Sequence, residues 1–394
     1  METRLPLKDI TVLDLSRLLP GSLCGQMLAD LGADVIKVED SEGGDSFRWS
    51  PPRYDTLSGY FHMLNRNKRS LKVNLKTVPG KEIFLRMAER ADVLLETFRP
   101  GAMKRLGLDY ETLQAINPRL IYCSLTGFGQ TGPYAQRSSH DINLLSLSGV
   151  LDLIGEKTGS PVIPAIQVAG VGGGALHTCI GILAGLIGRQ ASGRGMYLDV
   201  AILDGITPFL SMPMAEYLAT GVVPQRGQYV VGGGYAFYNV YKTADDKYLT
   251  LGCLENKFWS NFCQAVGRPD LIEQQFVDHP EQEKVIAAVT EIIRQKKRDE
   301  WTALLAEHDV CFAPVNDLAD VWKDPHIQHR GLWFRTEHPE DGRVGQQAFP
   351  VLFDQERPPV RRPAPGYGQH SRELLREYNW TEQEIDSFEE QGII

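Results

Sequence analysis

Paired cysteines are missing from this sequence of 394 residues. Its six cysteines, Cys24, Cys123, Cys179, Cys253, Cys263 and Cys311, stand singly, with no C-x-x-C among them. Scattered singles in a chain of this size argue for reduced, mostly buried thiols, so a cytoplasmic protein is expected. The nine histidines form neither H-E-x-x-H nor H-x-x-x-H. Without that ligand spacing no metal site is expected. No uninterrupted apolar run approaches the about 18 residues of a membrane span, so no membrane partner is expected. The first nine residues carry charges of both signs and no apolar signal core, which argues against secretion. A cationic excess is also lacking: 41 Lys and Arg stand against 50 Asp and Glu, for a net charge of −9. A nucleic-acid groove as the main surface is therefore not expected, because phosphate binding needs local Lys/Arg excess. Internal repeats and low-complexity tracts are absent as well.

The apolar share of 42% and charged share of 23% are ordinary for a globular chain, and they exclude disorder, collagen and coiled coil. The length suits two lobes at about 150 residues each. Strand and helix patterns alternate over the first half. Ile10 to Leu15 reads as a strand, Cys24 to Leu31 as a helix closed by Gly32, and Asp34 to Glu39 as a second strand. This is a βαβ unit, although the full G-x-G-x-x-G fingerprint is not met. Ser70 to Leu75, Asp92 to Glu96, Ile121 to Leu125 and Tyr197 to Ala201 continue the strands. Helices are expected over Pro79 to Ala91 and Gly172 to Arg189. The alternation predicts an α/β lobe with a mostly parallel sheet, and such sheets bind ligands at the carboxyl ends of their strands.

Composition changes near Gly221, and Gly227 to Tyr241 is rich in glycine and aromatics. Residues 225–325 read as a smaller α/β lobe, and 1–224 with 326–394 as the large one. The smaller lobe is expected to hold a strand at Lys247 to Leu251 and helices at Phe258 to Val266 and Lys284 to Glu307. The tail is strand-like from Leu332, Pro-rich from Pro358 to Pro365, and ends in two helices, at Arg372 to Tyr378 and after Thr381. Thr381 is the expected N-cap of the last one, with Glu384 three residues on.

Five segments carry a family likeness. They are L-A-D-L-G-A-D-V-I-K-V-E (Leu28 to Glu39), R-N-K-R-S-L (Arg66 to Leu71), A-D-V-L-L-E-T-F-R-P-G-A-M-K-R-L-G-L (Ala91 to Leu108), N-P-R-L-I-Y-C-S-L-T-G-F-G-Q-T-G-P (Asn117 to Pro133) and S-G-R-G-M-Y-L-D-V-A-I-L-D-G (Ser192 to Gly205). In their order the sequence resembles the family III CoA-transferases, the formyl-CoA-transferase-like family, from about residue 7 onward. The resemblance implies a Rossmann-like large lobe built from both chain ends, a small lobe between them, and an interlocked dimer. It implies acyl-CoA and carboxylic acids as substrates, with no permanently bound cofactor. The family includes transferases, which move CoA between carboxylic acids, and racemases, which invert the α-carbon of a 2-methylacyl-CoA. A transferase needs a carboxylate held dry beside the thioester, and backbone N–H groups to stabilise the oxyanion. A racemase needs two groups flanking the α-carbon, a His and an Asp in this family.

S-S-H-D-I-N-L-L-S (Ser138 to Ser146) matches the racemase branch, which places His140 on the base position with Asp141 beside it. A His-Asp dipeptide without that match is more often structural or simply exposed. Glu255 matches a small-lobe racemase Glu; read alone, it is equally a surface Glu opening a helix. The resemblance places CoA on Arg17, Leu18, Leu19, Pro20, Lys76, Thr97, Phe98, Arg99 and Arg105, with Phe98 positioned to stack adenine and the arginines to meet phosphate. It also likens Gly232 to Gly234 to a mobile glycine loop over the site.

One position departs from the pattern. Q-V-A-G-V-G-G-G-A-L-H (Gln167 to His177) has Gly170 where the family has its catalytic Asp, and no Asp or Glu lies between Gly159 and Asp199. Glycine neither attacks a thioester nor carries a proton. Three explanations stay open. The chain is the non-nucleophilic subunit of a transferase whose homologous partner supplies the Asp; it uses another carboxylate, Asp141 or Glu255; or it performs one-base α-carbon chemistry through His140. A homodimer, a heteromer and a non-catalytic acyl-CoA-binding subunit are all compatible with these residues.

Overall fold

The computed structural model describes residues 5–394. Met1 to Arg4, part of the stretch read above for a signal core, lie outside the described residues. The chain divides into two compact units. The first takes the chain up to Leu145, Ile166–Pro208 and Pro325–Ile394; the second takes Ser146–Ala165 and Phe209–Asp324.

The first unit is built on six parallel strands: β1 (Thr11–Leu15), β2 (Asp34–Glu39), β3 (Lys68–Lys72), β4 (Val93–Glu96), β5 (Ile121–Thr126) and β6 (Met196–Ala201). Their order is β3-β2-β1-β4-β5-β6. The central strands are buried almost throughout, which is why T-V-L-D-L, V-L-L-E and I-Y-C-S-L-T read as near-continuous apolar runs rather than alternating ones. Strand order reverses between β1 and β4, so the crevice lies at their carboxyl ends. Helix α1 (Leu18–Asp30) follows β1 directly. A Cβ on Gly21 would stand 2.3 Å from the Ser16 Cβ and 2.9 Å from a Thr97 methyl, so only glycine lets the helix meet both strand ends this closely.

The tail closes the same core. Leu374, Leu375, Trp380, Ile385 and Phe388 pack with Leu13, Ile36 and Leu94. The last helix, Glu382–Glu390, begins with the expected box: Thr381 accepts from the Glu384 N–H while Glu384 accepts from the Thr381 N–H. An antiparallel hairpin, Trp333–His338 with Gly342–Gln347, precedes the Pro-rich stretch. His62, His338 and Asp341 meet beneath it, their ligand-type atoms within 4.8 Å of one another. His338 Nδ1 accepts from the Glu340 and Asp341 N–H groups, and Asp341 accepts from Thr56, Leu57 and His62. The groups are spent on fastening the hairpin.

The long apolar stretch Ala169–Ser192 begins as eight residues of π-helix, Ala169–Leu176, and continues as α3 (His177–Ser192), after the short α2 (Asp141–Ser148). By length and composition it would suffice to cross a membrane, although His177 and Thr178 interrupt its apolar run. Half of the stretch is buried within the protein, and it packs on β5, β6 and α1. Its glycines permit a backbone crossing: a Cβ on Gly205 would lie 2.1 Å from the Gly173 carbonyl oxygen.

The second unit carries a three-stranded antiparallel sheet, β7 (Tyr238–Lys242), β8 (Tyr248–Gly252) and β9 (Phe312–Pro314). One face, with Tyr241, Leu249 and Leu251, joins a core of Trp259, Phe262, Val289 and Trp301. The expected helix over Lys284 to Glu307 is two, His279–Ile293 and Arg298–Ala306, parted where Glu300 caps the Lys297 N–H. The unit's bounds, 209 and 324, differ from the expected 225 and 325, and Ser146–Ala165 joins it. The physical reason is Arg226, whose guanidinium donates to the Asp152 and Gly159 carbonyls at 2.8 Å each.

Candidate active site

The crevice rests on buried charge. Lys68 Nζ donates to Asp14 Oδ2 and to the Ser22 carbonyl, both at 2.9 Å. Lys37 Nζ donates to the Ser16 carbonyl at 2.9 Å and pairs with Asp45 at 2.9 Å. All four charged side chains are buried. Arg66 and Asn67 bind Asp30, Arg69 binds Asp34, and Ser70 binds Glu39. Every polar residue of R-N-K-R-S is therefore engaged in holding β1, β2 and α1 together. The network fixes the turn after β1, where Leu18 sits at φ 61°, a left-handed conformation costly for a branched side chain.

The carboxyl ends of β1 and β4 are joined directly, the Arg17 N–H donating to Thr97 Oγ1 at 3.1 Å. A cavity of about 280 Å³ opens there, lined among others by Arg17, Asp40, Glu42, Lys76 and Phe98. Arg17 lies 5.7 Å over the Phe98 ring and pairs with Asp40; Lys76 pairs with Glu42 at 3.1 Å. The cavity thus holds an aromatic face and two cations, each paired with a carboxylate of the same lining, so a phosphorylated nucleotide binds there by drawing Arg17 and Lys76 from Asp40 and Glu42. Arg99 lies outside the cavity lining and bonds Ser138 Oγ at 2.5 Å. Arg105 likewise lies outside it, on the helix Ala102–Leu106. Glu96, which sequence reasoning missed, ends β4 beneath Phe98. Burial, together with the charge of Asp199, pushes its carboxyl up to about 7 against the opposing hydrogen bonds from Ser124 and the Phe98 N–H. Only its place at a central strand end could have singled it out.

Leu19 and Pro20, outside that cavity lining, face a second group of residues around Gly170. Asp141, half-buried at the start of α2, accepts a hydrogen bond from the Gly170 N–H at 2.7 Å, at the opening of the π-helix. Burial raises its carboxyl, while the N–H groups of Gly170 and Ala169 pull it back toward the charged form. A Cβ on Gly170 would find ordinary contact: 3.5 Å to Leu19 and Pro20, and 3.6 Å to Asp141 Oδ1. Asp141 therefore presents its carboxylate beside the position that lacks one. The His140 side chain is exposed, and the residue's backbone N–H donates to Asn143 Oδ1 at 2.9 Å. π-Helical turns frequently mark functional sites.

Of the residues expected to hold CoA, Arg17, Lys76 and Phe98 line the β1–β4 cavity and Thr97 is bonded to Arg17; Leu18, Leu19 and Pro20 lie outside the lining, Leu19 and Pro20 facing Gly170, next to which Asp141 lies. Glu255 belongs to the second unit, where it is exposed and occupies the N-cap position of the helix Asn256–Ala265.

Residues 7–371 match the profile of CoA-transferase family III. The chain is 36% identical to a succinate–glutarate CoA-transferase of Agrobacterium fabrum, over 94% of this chain and 95% of that protein. It is 35% identical to human alpha-methylacyl-CoA racemase, over 98% and 97%. Among solved structures it is similar to a CAIB/BAIF family protein of Brucella suis, with 33% identity, a TM-score of 0.83, and coverage of 95% of this chain and 99% of that one.

Proposed function

The chain belongs to CoA-transferase family III, and from that premise we propose that it transfers CoA between carboxylic acids with Asp141 as its reactive carboxylate. The nucleotide end of the thioester occupies the β1–β4 crevice, and the acyl carbonyl meets the Asp141–Gly170 pair. One observation carries this reading: the Asp141 carboxylate is bound by the Gly170 N–H, 3.6 Å from where a side chain at 170 would begin.

In this reading the Asp141 carboxylate attacks the thioester carbonyl, forming a mixed anhydride and releasing the CoA thiolate. The thiolate attacks the Asp141 carbonyl, giving an enzyme thioester and freeing the first acid. The second acid reverses both steps and restores the carboxylate. Once Asp141 is acylated, the N–H groups of Gly170 and Ala169 lose their anionic partner and face the developing oxyanion. His140, beside it, orients the incoming acid.

A second reading is favoured by the side-chain room left at position 170. There the chain is the CoA-holding subunit of a pair, and a homologous chain brings the carboxylate. The relation to a racemase supports a third, α-proton exchange through His140.

The experiment is to incubate the chain with acyl-CoA, quench with hydroxylamine, and map the modified carboxyl by mass spectrometry. The expected result is a hydroxamate at Asp141, absent in Asp141→Asn. In Gly170→Asp the adduct should move to position 170. No adduct, with transfer only after a homologous chain is added, overturns the Asp141 assignment in favour of the paired subunit. No adduct, with α-hydrogen exchange into deuterated water, favours the racemase.

A further inference from the structure

The second unit holds the larger cavity, about 1340 Å³. It exceeds the roughly 300–1,000 Å³ usual for drug-sized ligands. Its floor is the outer face of the β7–β8 sheet. Residues 238–240 of β7 and 250–252 of β8 line it, with Tyr238 paired to Gly252 and Val240 to Thr250 in register. The outer face of an antiparallel sheet is ordinarily polar. Here Val240 is 56% and Tyr238 38% exposed, and neither Thr250 nor Gly252 carries charge.

The opposite wall is a built structure. Residues 154–162 cross over the floor, held by the Arg226 guanidinium on the Asp152 and Gly159 carbonyls and by the Val162 N–H on the Ile154 carbonyl at 2.9 Å. Gly227 is needed there, because a Cβ would sit 2.4 Å from the Lys157 nitrogen. Lys157 is pinned to Glu283 at 2.7 Å.

The charge inventory of the lining is short: Lys157, already neutralised, and Glu156. A ligand with a carboxylate deep in this space would find no free cation and one repelling acid. A hydrocarbon would find Val240, Val231, Val162, Ile154 and two aromatic rings, Tyr238 and Phe312. We infer that this cavity seats the bulky, uncharged hydrocarbon part of a ligand, not a short dicarboxylate. The binding does not depend on the transferase reading above.

The test uses the full chain and isothermal titration with dodecanoate, 2-naphthoate and glutarate, without CoA. The hydrocarbon acids should bind at least a hundredfold more tightly than glutarate. Val240→Trp, which fills the floor from an exposed position, should weaken dodecanoate at least tenfold. Val240→Arg should weaken it too and narrow the gap to glutarate, and circular dichroism checks that both variants are folded. Equal binding of glutarate, no binding of either hydrocarbon acid, or unchanged binding in both folded variants overturns the inference. Turnover separates the two readings. Hydrocarbon acids that bind while no acyl-CoA reacts leave the cavity assigned and the transferase reading broken. Glutaryl-CoA turnover without hydrocarbon binding does the reverse.

Discussion

The crevice of the first unit and the cavity of the second differ in almost every physical respect. The crevice is small and charged, set on ion pairs sealed from water, and its turn is held in a strained conformation. The cavity is large and nearly uncharged, floored by a sheet face and walled by one stapled loop. Phosphate groups demand fixed donors, and fixing them requires buried counter-charges that hold the backbone still. A hydrocarbon demands only volume and the exclusion of charge. The two designs suit ligand groups of opposite character, and each difference can be probed.

The largest difference expected is between two lysines. Lys68→Met strips Asp14 of its fully buried partner, and breaking such a pair costs about 3–5 kcal/mol. Lys157→Met removes an ion pair of the second unit whose side chains are 46% and 63% exposed, worth less than about 1 kcal/mol. Urea denaturation of both variants checks this. Equal losses would mean that the first unit's network is not the anchor described.

Next comes Glu96. Its folded pKa, about 7, lies above the roughly 4.3 of an unfolded Glu, so the folded state binds the proton more tightly. The stabilisation is fully present below about pH 4.3 and is lost as pH rises through about 7. Glu96→Gln should remove that decline, gaining on the order of 3 kcal/mol relative to the native chain at pH 8 and almost nothing at pH 4. Melting curves across that range decide it.

Smaller again is the effect of Arg17→Ala, about tenfold in the dissociation constant for CoA, or about 1.4 kcal/mol for a charge-assisted contact. Part of the loss is offset because Asp40 is freed from its partner only when Arg17 turns to phosphate. Titration at two salt concentrations measures it, and the variant should show the shallower salt dependence.

Much of this was legible beforehand because it rests on local pattern. The runs of β1, β2, β4 and β5 and the N-cap at Thr381 follow from buried-strand composition and capping chemistry. R-N-K-R-S was legible as a motif but not as a device, since its partners Asp14, Asp30 and Asp34 lie far away in sequence. The contact of Asp141 with Gly170 spans 29 residues, and no periodicity encodes it. Nor does composition reveal that Arg226 draws 146–165 into the second unit, or that the glycine-rich helix opens with π geometry.

That last long-range tie gives the finest distinction between the two regions. Arg226 spans from its own turn to the carbonyls of Asp152 and Gly159 and meets the Asp152 carboxylate at 3.1 Å. Carbonyls that lose such a donor on a partly open loop regain water, so the net cost of Arg226→Ala is about 1 kcal/mol, well below that of Lys68→Met. Global melting will barely register it. Residues 154–162, however, would keep the Val162–Ile154 and Gly159–Glu156 hydrogen bonds, the Ile154 N–H bond to the Leu151 carbonyl and the Lys157–Glu283 pair but lose the tie to Arg226, so their local opening should become easier by the same amount. Hydrogen exchange at these amides should rise about fivefold while that of β1 and β4 stays unchanged. Uniform acceleration across both units would show instead that the wall is part of the global fold, and that the cavity is not an independently stapled chamber.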